Sequence, residues 1–166
     1  MNLSEILKST AGQMLPALCG CLGKGKAWAA ERGVAEAVLL NDRLSADMFP
    51  LVRQVQTATD MIARGTARLA GVDFLALPDE ETSFDELIAR ARKVGEFIQF
   101  SDASAIDGSA DKILPIPIGP ETRDMAGRAY LLSFVLPNFF FHDTMTYAIL
   151  RHNGVPLGKR DFLVPG

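Results

Sequence analysis

Four side chains of this sequence stand where a polar site could form. Gln56 and Asp60 lie in "LVRQVQTATD", and Asn138 and His142 lie in "PNFFFHDTMTYAILRHNG". An imidazole that titrates near neutrality serves as a general base or a metal ligand, an amide orients a substrate, and a carboxylate holds cations. At about 100° per residue, Val135, Phe139, His142, Thr146 and Ile149 fall within a stripe about 80° wide. His142 is near its middle and Asn138 is one turn earlier. A histidine or amide on an apolar face needs a partner or a water, because leaving it unpaired costs about 1–3 kcal/mol. Gln56 and Asp60 are one turn apart on another helical stretch, beside Val55 and Thr59. Mid-helix positions of antiparallel neighbours can face each other, so the four are expected to converge, either lining a small pocket or forming a core network.

The other reactive residue types read as structural. His152 sits in the last turn before Asn153-Gly154, where a cationic side chain meets the negative end of a helix dipole. Cys19 and Cys21 are two residues apart, about 200° around a helix, so they cannot chelate one ion unless the helix breaks at Gly20 or Gly23. They read as small buried residues of a reducing compartment. The "GKGK" at 23–26 lacks the spacing of a phosphate-binding loop. No nucleophile–base pair stands at a recognised spacing.

Four stretches must position these residues. The first spans about 3–32, with a seam of Leu3, Leu7, Met14, Leu18 and Leu22, with Pro16 inside it and Gly33 as a stop. The second has Asp47 as N-cap, Pro50 in the first turn and Gly71 after the end. The third opens on a capping box, Ser83 with Glu86, and carries Phe84, Leu87, Ile88, Ala91, Val94 and Ile98. The fourth runs from about 125 to 152 and is apolar nearly all round, which suggests a subunit interface. Within it, Pro137 cannot donate to the Ser133 carbonyl, so a kink is expected beside His142. The stretch "DGSADKILPIPIGPETRD" is extended or a weak hairpin, turning at Ile118-Gly119-Pro120, and the tail from Gly154 is irregular.

The expectation is therefore an all-α single domain over 1–166, an antiparallel four-helix bundle with an extended or short hairpin excursion before the last helix. At 166 residues, with 48% hydrophobic and 22% charged residues, the chain can bury a sizeable core. A net charge of −3 carries no footprint for nucleic acid. There is no apolar run of membrane-spanning length, and "MNLSEILKSTAGQ" has no basic n-region, so a cytoplasmic location is expected.

The stretches "LNDRLSADMFPLVRQVQTATD", "ARLAG" and "PNFFFHDTMTYAILRHNGVPLGKRDF" resemble the DUF1993 family of bacterial proteins, over nearly the whole chain. That family is related to the DinB/YfiT-like superfamily of four-helix bundles, which are commonly dimeric. The resemblance implies a DinB-like bundle and a homodimer. Many superfamily members hold a divalent metal on three histidines, one on the second helix and an HxxxH pair on the fourth. Some are linked to thiol-dependent transferase chemistry. Carried over, the later histidine of the pair falls on His142, the earlier on Asn138, and the remaining one on Gln56. One imidazole with two amides is a poor transition-metal donor set, so the reading is no cofactor, with His142 the one ligand a metal would find. Three functions follow. One is a small-molecule binder with a degenerate metal site. Another is a metal-dependent hydrolase or thiol-dependent transferase with altered ligands and His142 as base. The third is a non-catalytic dimeric interaction protein.

Overall fold

The computed structural model of the chain describes residues 2–164, which are mostly helical with one small sheet. Helix α1 (Leu3–Arg32) buries the whole expected seam and ends where Gly33 turns left-handed at φ 63°. Pro16 lies inside it without ending it. After the short α2 (Glu36–Leu40), α3 (Leu51–Ala70) starts later than its sequence suggests. Pro50 is its N-cap, and the Asp47 carboxylate instead accepts a hydrogen bond from the Ser45 hydroxyl at 2.7 Å. The pyrrolidine ring of Pro50 disfavours helical backbone at Phe49, so the helix cannot begin before it. Gly71 closes α3 at φ 69°.

Helix α4 (Phe84–Phe100) opens on the Ser83–Glu86 capping box. Helix α5 (Ala103–Asp107) then leads to a hairpin of β1 (Ile113–Ile118) and β2 (Glu121–Ala126), paired antiparallel from Ile113↔Ala126 to Ile118↔Glu121. It turns at Gly119, φ 59°, in the segment expected to be extended. The last long helix is built in pieces: α6 (Gly127–Tyr130), a π turn (Leu131–Val135) and α7 (Leu136–His152). The Leu136 N–H reaches back five residues to the Leu131 carbonyl, and Pro137, which has no N–H, follows directly. Where a kink was expected the helix carries a π turn, an extra residue inserted where proline interrupts the ladder.

The tail is more ordered than "irregular" implied. Val155 and Leu157 are buried, and α8 (Lys159–Leu163) packs on α1. Its Asp161 carboxylate accepts from Lys24 at 2.7 Å, while Pro165 and Gly166 lie outside the described residues.

Helices α1 and α4 pair antiparallel, with Lys8 Nζ on the Ser101 carbonyl at one end and Lys26 on Asp85 at the other. Helices α3 and α7 pair the same way, with Gly65 against Val135 and Gln54 against His142. Between these pairs sits one apolar core in which Leu7, Leu22, Ile62, Leu87 and Phe139 are fully buried.

Candidate functional site

Gln54, on the first turns of α3, reaches His142 on α7. Its side-chain N–H donates to the Phe49 carbonyl at 3.0 Å, and this orients the amide. The amide oxygen then faces His142 Nδ1 at 2.7 Å, so Nδ1 must carry the proton. Nε2 is left with a lone pair and no hydrogen-bond partner among the described residues. Burial pushes the His142 imidazole below its ordinary value, which keeps it neutral near pH 7. The ring stacks on Phe49 at 6.2 Å between centroids and takes an edge contact with Phe141 at 5.1 Å. Phe49 is 47% exposed and Phe141 is 52% exposed, so both rings border open space. The result is a neutral, oriented imidazole beside two half-exposed aromatic rings.

The other expected members do not join it. Gln56 is 200° from Gln54 around α3 and faces the α3–α4 connection, donating to Glu81 at 2.9 Å. Asp60 turns the same way, onto Arg90 of α4 at 2.5 Å and Arg64 at 2.9 Å. Asn138 donates to the Phe134 carbonyl at 2.7 Å, within its own helix. The expected convergence of Gln56, Asp60, Asn138 and His142 is therefore corrected: two of them serve a different network, and one caps the helix backbone. His152 is exposed in the last turn of α7, in keeping with a capping role. Asn153 at that C-cap donates to Asp42 at 2.6 Å.

Gln56 and Asp60 belong to a buried ion network that sequence reading did not reach. Arg90, whose side chain is 2% exposed, meets Asp60, Asp79 at 3.1 Å and Glu81 at 2.9 Å, and donates to the Thr59 hydroxyl and the Pro78 carbonyl. Arg53 adds a second guanidinium on Asp79. Burial pushes the Asp60 carboxyl up, opposed by Arg64 and Arg90. The network straps the irregular connection at 72–83 onto α3 and α4, which is a fastening role.

A second residue missed in the sequence is Asp143. It is 2% exposed, and its Oδ2 has no hydrogen-bond partner. Burial pushes its carboxyl up to about 7. The inward stripe of α7 is Phe139, Asp143, Thr146 and Leu150, turned by about 50° from the stripe that holds His142. Asp143 stands at i+4 from Phe139 and i−3 from Thr146, a spacing that could have flagged it. The two thiols face apart as expected. Cys19 approaches the Ile88 carbonyl at 3.9 Å and Cys21 the Asp161 carbonyl at 3.6 Å. Burial, with Asp143 and Asp161 adding to it, pushes the Cys21 thiol up to about 12.

The three-histidine metal site implied by the DinB resemblance does not fit these residues. Of its three positions only His142 is an imidazole, and the Gln56 and Asn138 amides are engaged elsewhere. The Gln54 oxygen is taken by His142 itself. Among the described residues no three His, Cys, Asp or Glu side chains are placed to share an ion. Neutral amides are also weak partners for zinc or nickel.

Known proteins place the chain in a family. No curated protein matches it. A crystal structure of a DinB family member protein from Shewanella denitrificans superposes with a TM-score of 0.89 at 34% identity, covering 97% of this chain and 91% of that one. The family DUF1993, a domain of unknown function, matches residues 3–163. With a family match over residues 3–163 and a DinB-family structural neighbour, this chain belongs to DUF1993.

Proposed function

We propose that the protein is a DinB-like antiparallel four-helix bundle that binds a small organic molecule beside His142, without a metal. One observation carries the reading: the neutral His142 ring, its tautomer set by Gln54, leaves its Nε2 lone pair free among the described residues, beside the exposed rings of Phe49 and Phe141. An acceptor lone pair beside aromatic rings suits a planar ligand that carries an N–H or O–H donor. A metal-dependent hydrolase or transferase would need donors that Gln56 and Asn138 do not offer. We take the acting unit to be a cytoplasmic homodimer. Its two free, separated cysteines suit a reducing compartment. No described helix is long and apolar enough to cross a membrane.

The test is a screen of planar aromatic acids and amides against wild type and His142→Phe, read by calorimetry and by nitrogen chemical shifts of the imidazole. Wild type should show a protonated Nδ1, and binders should shift the Nε2 resonance. His142→Phe should weaken them by about tenfold or more, the worth of one buried hydrogen bond. Binders that ignore the substitution, or an imidazole protonated on Nε2, would refute the site.

A further inference from the structure

Helices α1 and α4 leave an open groove of about 820 Å3 between them, lined by these two helices alone. Three glycines of helix interiors line it, Gly12 and Gly20 on α1 and Gly95 on α4. None has a positive φ. A Cβ at Gly12 or Gly20 would meet nothing within 4 Å, and one at Gly95 only Leu15 Cδ1 at 3.8 Å. Glycine weakens a helix, and nothing among the described residues requires it at these positions. What glycine does permit is the close approach of another backbone. Pro16 stands on the same α1 stripe and offers no N–H to the Gly12 carbonyl. At one end of the groove Phe100 is 86% exposed, more than any other large apolar side chain among the described residues.

The charges choose the occupant. Arg92 and Glu96 line the groove one turn apart, both are exposed, and neither forms an ion pair among the described residues. Such a pair is self-complementary about a two-fold axis. A second α4 running antiparallel sets Arg92 against the partner's Glu96 and Glu96 against the partner's Arg92. The same register centres the crossing beside Gly95, where the backbones must come closest. It also sets Phe100 opposite the partner's Ile88, at the end of the groove where Cys19 meets the Ile88 carbonyl. Knob, groove and charges all satisfy one symmetry operation. We infer that a second copy of this chain docks here, α4 against α4, through the glycine-lined groove. The inference rests on the homodimer reading above but not on the ligand site. It puts the interface on α1 and α4 rather than on the last long helix.

Sedimentation of the full-length chain tests it. Wild type, of 18.0 kDa per copy, should sediment as a dimer. Arg92→Glu and Glu96→Arg should each weaken the dimer by about tenfold or more, because like charges then face each other, and the double swap should restore it to within about threefold. Gly95→Gln fills the groove and should also weaken the dimer by about tenfold, while the monomer melts no lower, since glutamine favours a helix. A wild type that stays monomeric at about 100 μM would overturn both this interface and the homodimer reading. A dimer untouched by all these variants would overturn the interface alone. Loss without rescue in the double swap would overturn the register.

Discussion

Asp143 gives the sharpest test of how the core is built. Its carboxyl is 2% exposed with Oδ2 unpartnered, and it is raised from the ordinary 3.8 to about 7. The unfolded chain ionises this group near 3.8, whereas the folded chain holds it protonated until about pH 7. The unfolded state therefore binds fewer protons across that window, and stability falls as pH rises through it. The contribution is fully favourable below about pH 4 and levels off above about pH 7. At about 1.36 kcal/mol per pH unit, the interval amounts to about 4 kcal/mol, of which about 3 kcal/mol falls between pH 5 and pH 8. Other carboxylates also titrate on folding; Glu86, Asp107 and Asp161 are all lowered by their hydrogen bonds. The difference between wild type and Asp143→Asn cancels these and isolates the buried group. Asparagine cannot ionise, so the variant should lose to wild type at about pH 5 and match or exceed it at about pH 8, the difference moving by about 3 kcal/mol. Asp143→Leu, which also removes the unpaired oxygen, should gain about 2–4 kcal/mol at about pH 8. That is a rise in melting temperature of roughly 4–16 °C for a chain of this size. Urea unfolding at the two pH values reads both. A wild-type-to-Asn difference that stays constant with pH would show that Asp143 is hydrated or ion-paired, and the reasoning would fail.

Three further outcomes follow from contacts elsewhere. Arg90→Met should destabilise by about 3–5 kcal/mol, because Asp60 and Glu81 lose their buried cation, and limited proteolysis should then cut the connection at 72–83 faster. An unfolding midpoint and a cleavage rate equal to wild type would deny the strap. Gly65→Ala places a Cβ at 2.7 and 2.8 Å from the Val135 methyls and should cost about 1–3 kcal/mol, with Val135→Ala in the same chain recovering most of it. Calorimetric melts of wild type and these two variants decide that. Ser83→Ala removes the hydroxyl that accepts from the Glu86 N–H and should cost about 1 kcal/mol in denaturant unfolding, with α4 amides near its start exchanging faster.

Local rules carried most of the fold. The seam of α1, the capping box of α4, the left-handed Gly33 and Gly71 stops and the hairpin turning at Gly119 each depend on a few neighbouring residues, and each stands where the sequence puts it. The separation of the two cysteines was legible for the same reason. The start of α3 was misplaced because Asp47 suits an N-cap in isolation, while Pro50 constrains the residue before it.

What the sequence by itself determined is the four long helical stretches, most of their end signals and the types of side chain available to a site. Which of those side chains meet was decided only in three dimensions. Gln54 and Gln56 differ by 200° around α3, and only the docking of α3 between α7 on one side and α4 on the other assigns one to His142 and one to the Arg90 network. His142 and Asp143 differ by 100°, and the buried stripe of α7 falls on Asp143 and leaves His142 at its edge. Arg90 looks like a solvated charge until carboxylates from α3 and from the 72–83 connection close around it. Periodicity is a property of one helix, whereas rotational phase belongs to a pair of helices, and no local pattern encodes it.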